Sequence, residues 1–287
     1  MAALCAESLP FDPDAGDLAS ILTAPRESAS TVILVCEREG IVCGLACGTI
    51  RRTPEGTVIG HVDLLAVAPA HQGRGTGARL LSALEDLLMD GGAATIRIGH
   101  NFPVYLWPGV DPRYTAMTCL AERAGYRRYQ DEVNLVADLA GARLATAAAE
   151  QRLAASGITV RRASPDEAGP LRAWLAGGPW GASGWPDEAA RSVTGGRGGC
   201  HVAMRDGRYV AFACHGSNRR GYFGPMGTLP DERRHGLGSV LLRRCLADIE
   251  AGGLTTAQIC WAGPVRYYAR AVGARIDRVF WLYEKEL

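Results

Sequence analysis

Lysine is nearly missing from this chain: of its 31 basic residues only Lys285 is lysine. With abundant Ala and Gly, this reads as the codon usage of a GC-rich genome, and a bacterial source is the expectation. An excess of charge is missing too. The 31 basic residues face 30 acidic ones, the net charge is +1, and no basic block occurs. That removes the electrostatic footprint by which proteins hold nucleic-acid backbones or anionic membranes, so neither is expected as a partner. No stretch approaches the roughly 18 apolar residues that a membrane helix needs. The first residues show no basic segment followed by an apolar core, so no signal peptide is expected and the cytoplasm is the expected compartment. The final Glu284-Lys285-Glu286-Leu287 only approximates a retention tail and carries no weight without such a peptide.

Nine cysteines are too few for a disulfide scaffold in 287 residues, and their number is odd. The closest pair, Cys43 and Cys47, has no second Cys or His pair beside it, so no metal site is expected. Buried free thiols are the better reading. What is present is a globular composition, 47% apolar, in a chain longer than one core usually supports. Two domains of about 140 residues are therefore expected.

A repeat supports that division. The stretch from Val62 through Pro69, Gln72, Gly75 and Gly77 to Leu88 recurs 161 residues on, where Pro69, Gln72, Gly75 and Gly77 are matched by Pro230, Arg233, Gly236 and Gly238. Around each copy the same order of elements is expected. Residues 31–36 and 41–50, joined by Arg38-Glu39-Gly40, read as a hairpin, as do 201–204 and 209–215 around Asp206-Gly207. Leu80, Leu81, Leu84 and Leu88, then Leu241, Leu242, Cys245 and Ile249, recur at helical spacing and end near glycine pairs. A strand follows each helix (95–98, 257–261), then a second helix (112–124, 265–272) and a last strand. The expected domains are 1–140 and 157–287, with an Ala-rich helical connector over 141–156. The fold class is α/β (α+β): two domains, each a mixed, mostly antiparallel sheet flanked by helices. The first 28 residues are the least legible.

A strand that runs into Gln-x-x-Gly-x-Gly and a helix places backbone N–H groups, unhindered by Cβ atoms, at a helix N-terminus, where an anion such as pyrophosphate is favoured. The dinucleotide fingerprint Gly-x-Gly-x-x-Gly and a Walker loop are both missing.

These motifs resemble the GNAT N-acetyltransferases, whose signature is Gln/Arg-x-x-Gly-x-Gly/Ala after a strand ending in Val-x-Pro. The resemblance covers about residues 31–136 and 158–286, so the chain looks like a tandem GNAT. It implies acetyl-CoA as co-substrate. Pantetheine contacts then fall on Leu65, Ala66 and Val67 and on Gly227, Thr228 and Leu229. The pyrophosphate falls on Gln72, Gly73, Arg74, Gly75, Thr76 and Gly77, and on Arg233, Arg234, His235, Gly236, Leu237, Gly238 and Ser239. A backbone N–H near Val67 or Thr228 would polarise the thioester.

The resemblance also implies a Tyr near the end of the second helix as acid to the leaving thiolate. Tyr268 is the expected acid in a register one residue off the commonest spacing, which leaves Tyr267 as the alternative, whereas the first half carries Ala121 there. The second half is for that reason the expected catalytic one. For the base, His61 and Asp63 lie two apart on a strand. The second half carries Tyr222 in place of His61, which leaves Asp187, Glu188 or ordered water as the source of its base. Tyr105 and Trp107, and Trp180 and Trp185 beside Asp187, are the candidate acceptor walls, or else interface packing. The expected activity is acetyl transfer to a primary amine of a small molecule, by direct attack in a ternary complex, in a monomer or homodimer. The alternatives are a CoA-binding module without catalysis and transfer of another acyl group.

Overall fold

The computed structural model describes residues 1–23, 30–53, 56–101 and 106–287. The chain forms two compact units, Met1–Glu132 with Val279–Leu287, and Val133–Arg278. The last nine residues, expected with the second half, belong to the first unit, and the helix expected as a connector between the halves belongs to the second.

Unit 1 begins with α1 (Ala2–Ser8) and α2 (Ala15–Thr23) and continues with β1 (Ser30–Arg38), β2 (Ile41–Arg52), β3 (Val58–Val67), α3 (Thr76–Asp90), β4 (Thr95–Ile98), α4 (Thr115–Arg123) and the start of β5 (Arg127–Asp138). The β1–β2 turn places Glu39 and Gly40 at φ 52° and 77°, the left-handed pair that matches strand twist in a two-residue hairpin. β1, β2 and β3 pair antiparallel, β3 and β4 parallel. The end of the last strand of the chain, β11 (Arg275–Glu286), adds antiparallel to β4 from Tyr283↔Ile98 to Glu286↔Thr95. On one sheet face α3 buries Leu80, Leu81, Leu84 and Leu88, each side chain contributing about 1.5–3 kcal/mol. The helix sits close because Gly48 lies beneath it: a Cβ there would stand 2.9 Å from Leu84 Cδ1. On the other face α1 and α2 bury Leu4, Cys5, Leu18 and Leu22 against Leu45, Leu64 and Ala66.

Unit 2 holds the end of β5 and then α5 (Ala147–Ala155), β6 (Ile158–Arg162), α6 (Ala168–Ala176), α7 (Trp185–Thr194), β7 (Gly199–Arg205), β8 (Arg208–His215), β9 (Tyr222–Thr228), α8 (Leu237–Ala251), β10 (Thr256–Ile259) and α9 (Val265–Val272). Its sheet runs β6-β7-β8-β9-β10, with residues 135–138 of β5 pairing antiparallel to β10. Only β9 and β10 are parallel in it. α8 and α9 cover one face and α6 and α7 the other. α5 packs through Leu153 into the α8 core and is tied there by Glu150, whose two oxygens accept from Arg244 at 2.6 and 2.8 Å. Ser164 forms a capping box with Glu167. Among the described residues, no helix is long and apolar enough to cross a membrane.

Candidate active site

In unit 1 the sheet opens beside the strand that precedes the glycine loop. β3 and β4 pair only as far as Val62↔Ile98, and the Gly99 N–H adds one bond to the Val62 carbonyl. On the other side of β3 the register to β2 shifts, because Cys47 faces Leu64 while Gly48 faces Val62. Asp63 is thus the extra residue of a β-bulge, a device that re-aims a side chain and bends the strand. Residues 63–67 continue past the end of the parallel ladder as a strand edge facing a cavity of about 780 Å³.

The glycine loop closes one end of that cavity. Gly73 and Gly75 have φ of 70° and 78°, and open space lies where their Cβ atoms would be. Gly75 is the N-cap of α3, and Thr76 is buried with its hydroxyl oxygen unpartnered. Gln72 folds back and donates from Nε2 to the Val67 carbonyl at 2.8 Å. Leu120 of α4 comes up to Gly77, 3.5 Å from where its Cβ would stand. An exposed left-handed loop, free amides, the positive end of a 15-residue helix and an unsatisfied hydroxyl fit a diphosphate, and the adjoining edge of β3 fits an amide-bearing arm. The cavity walls include Leu65, Ala66 and Val67. Arg74 is exposed on the loop.

The two candidate bases part company. Asp63 lines the cavity and accepts hydrogen bonds from the Thr49 hydroxyl and from Asn101 Nδ2, the latter at 2.7 Å. His61 is buried, with Nδ1 3.0 Å from the Gly99 carbonyl oxygen, and is not among the cavity walls. Burial outweighs that bond and lowers its pKa to about 4, so the ring is neutral at pH 7. Trp107 lines the cavity, whereas Tyr105 lies outside the described residues.

Walls that sequence reasoning missed come from the α1–α2 linker and the segment before α4. Phe11 and Tyr114 meet edge to face at 5.1 Å, and Arg113 lies 4.5 Å over the Phe11 ring while forking onto Asp111. The turn dipeptides Asp12-Pro13 and Asp111-Pro112 are the only local signals for these segments.

Unit 2 repeats the bulge and fills it differently. Ala213 faces Met226 and His215 faces Phe223, so Gly224 and Pro225 together oppose Cys214. The parallel ladder ends at Phe223↔Ile259. Trp180 lies on this strand, 2.5 Å from where a Cβ of Gly227 would stand, with Phe212 at 2.8 Å. Trp180, Trp174, Trp185 and Phe212 form one aromatic cluster with centroids 5.3–6.4 Å apart, in which Trp180 and Trp185 are half-buried against the core of that face. Asp187 is taken by Arg172 Nε at 2.5 Å. Glu188 is buried on α7, at the limit of a hydrogen bond from Asn218, 3.5 Å away.

The second loop keeps the path of the first. Arg233 Nε reaches back to the Thr228 carbonyl at 3.4 Å, Gly236 caps α8 at φ 80°, and His235 Nδ1 lies 3.2 Å from the Glu232 carbonyl. Thr228, Leu229 and Ser239 are half-buried around it. It differs where it matters for an anion: Arg234 takes the left-handed φ of 71° that Gly73 takes in unit 1, and apolar, buried Leu237 replaces Thr76. Tyr267 brings its hydroxyl 3.0 Å from where a Cβ of Gly238 would be. Tyr268 instead packs into the core against Phe223, where burial raises its pKa.

The profile of the Acetyltransferase (GNAT) family matches residues 4–103 and again 169–273. No curated protein sequence matches the chain. Among solved structures, the fold is similar to a GCN5-related glucosamine N-acetyltransferase region of a fungal multi-domain GH3 β-N-acetylglucosaminidase, with TM-score 0.77 and 20% identity over 99% of this chain. This chain spans only 36% of that protein. A tandem GNAT protein from the clavulanic acid biosynthesis pathway is similar with TM-score 0.72 and 17% identity, covering 99% of this chain and 94% of that one. A GCN5-related N-acetyltransferase from Sphaerobacter thermophilus follows at 0.64 and 19%, over 99% and 91%. With the family profile found once in each half and the split strand found in each unit, the chain belongs to the acetyltransferase (GNAT) family, as a tandem GNAT protein.

Proposed function

We propose that unit 1 transfers the acetyl group of acetyl-CoA to a primary amine of a small molecule, by direct attack in a ternary complex. The observation that carries this reading is the position of Asp63: a carboxylate on the bulge of the open strand, in one cavity with the glycine loop. Amides of residues 73–77 and the α3 N-terminus hold the diphosphate, and the edge of β3 at residues 65–67 aligns the pantetheine arm. The acceptor nitrogen bonds to the thioester carbon while Asp63 takes its proton, directly or through one water. A backbone N–H near Val67 stabilises the charge on the carbonyl oxygen. The C–S bond then breaks, and the thiolate takes a proton from water, since α4 carries Ala121 where the family places Tyr.

Unit 2 serves in this reading as a scaffold with a residual loop. Gly224 stands in place of the base, and Trp180 lies against Gly227 on the strand face where unit 1 buries Ala66 beneath α1 and α2. The choice of the second half, suggested by Tyr268, gives way to this. Thiol release from acetyl-CoA over a panel of amines tests the proposal. Asp63→Asn is expected to lower kcat by about 100-fold or more at unchanged acetyl-CoA affinity, and unchanged turnover would remove Asp63 as base.

A further inference from the structure

Asp12 is 2% exposed, sits in the α1–α2 linker, and reaches two side chains about a hundred residues away. Trp107 Nε1 donates to its Oδ1 at 3.0 Å and the Tyr114 hydroxyl to its Oδ2 at 2.7 Å. The Phe11 N–H in turn donates to the Tyr114 oxygen at 3.2 Å. Ser8 pins the linker at its other end, donating to the Val67 carbonyl at 3.1 Å. The linker is therefore tied to both sides of the cavity. One carboxylate turns the polar atoms of both aromatic walls toward itself, so what Trp107, Tyr114 and Phe11 offer the cavity is ring surface. Such surface suits a flat or saturated ring and the cation that adjoins it.

The charges agree. Glu7, Asp63 and Asp111 line the cavity. Arg113, the cation at this end, is held in a fork by Asp111 with contacts of 2.6–3.1 Å. Arg123, the other cation among the described wall residues, lies one helical turn beyond Leu120, which touches the glycine loop, and so belongs to the cofactor end. A carboxylate carried by the acceptor would meet acid at the aromatic end and compete with Asp111 for its guanidinium.

Resting on the proposed transfer in unit 1, we infer that the acceptor is an amine on a ring or similar body with an apolar face and no carboxylate of its own, and that Asp12 is the positioning residue that sets the aromatic walls for it. Matched pairs test the acceptor class: tyramine against tyrosine and histamine against histidine, with putrescine as the open-chain amine. The amine of each pair is expected to exceed its amino acid in kcat/KM by about tenfold or more, and the ring amines to exceed putrescine. An amino acid equal to its amine, putrescine as the best substrate, or no turnover of any ring amine by protein that binds acetyl-CoA would each overturn the inference. Loss of acetyl-CoA binding to unit 1 would instead overturn the reading beneath it.

Asp12→Ala is expected to raise the amine KM about tenfold with kcat within about threefold and acetyl-CoA affinity unchanged. Asp12→Asn should restore part of that loss, because its amide oxygen still accepts the Trp107 N–H. Tyr114→Phe, which keeps the ring and loses one bond to Asp12, should raise KM by about threefold. An unchanged KM in Asp12→Ala, or equal losses of kcat, KM and cofactor affinity, would contradict a positioning role.

Discussion

At the bulge of its split strand unit 1 carries Asp63 and opens on a cavity, while at the matching place unit 2 carries Gly224 and Pro225 and lays Trp180 on Gly227. The backbone event is the same in both. A bulge bends one strand away from its parallel neighbour, and that alone exposes an edge. What becomes of the edge is settled by a few side chains from the helices on the outer face. In unit 1 residues 9–11 of the α1–α2 linker line the cavity, whereas in unit 2 the tryptophans of α6 and the α6–α7 segment pack against Phe212 and Gly227. The loop keeps its path in both units, with Gly75 and Gly236 at φ 78° and 80°, while the bulge residues and the side chains beside them differ.

The contrast can be broken most forcefully at Asp63. The loss of about 100-fold or more in kcat expected for Asp63→Asn should have no counterpart in unit 2, where the bulge offers no carboxylate to remove. The next largest effect concerns the loops. Gly75→Val forces a β-branched residue into φ 78° at the helix cap and should weaken acetyl-CoA binding and raise its KM by about tenfold or more, while Gly236→Val, at φ 80°, should leave turnover within about twofold. Isothermal calorimetry and steady-state kinetics on the two variants check this. Equal losses in both would mean that the units share the work.

A third difference is read by pH. His61 has a folded pKa of about 4 against 6.5 in the unfolded chain. As pH falls below 6.5 the unfolded state takes up a proton that the folded state refuses until about 4. The stability from this group is thus full above 6.5 and drains away between 6.5 and 4, by about 3 kcal/mol in total. Urea titrations at pH 7 and 4.5 should show a smaller fall in His61→Gln than in the parent chain. The smallest effect is expected for Tyr268→Phe, since Tyr268 lies in the core of unit 2. Turnover should stay within about twofold, and a loss nearer 100-fold would return the chemistry to the second half.

Much of this architecture was legible in the chain because its signals are local. Glu39-Gly40 and Asp206-Gly207 dictate hairpins through their left-handed backbone, and the leucine periodicity of α3 and the glycines at 73, 75 and 236 are read within a single turn. What was hidden depends on distance along the chain. Residues 279–283 are an unbroken apolar run that suits a last strand in either unit, so nothing local assigns the segment to β4. The one-residue ambiguity between Tyr267 and Tyr268 decides which hydroxyl meets Gly238, and both lie on the same short helix. An aromatic beside Asp187 reads alike in a cavity and in a core, and the contact of Trp180 with Gly227 is made across 47 residues, beyond any local pattern. The Asp12 bonds span 95 and 102 residues, beyond any periodic pattern.

A crystal structure with acetyl-CoA, or with its unreactive desulfo analogue, puts the difference between the two units to the most direct test. The account predicts the diphosphate on the amides of residues 73–77 and the pantetheine arm along residues 65–67, ending within reach of Asp63. Density held only by the loop from Arg233 to Ser239, with the unit 1 cavity empty, would contradict it.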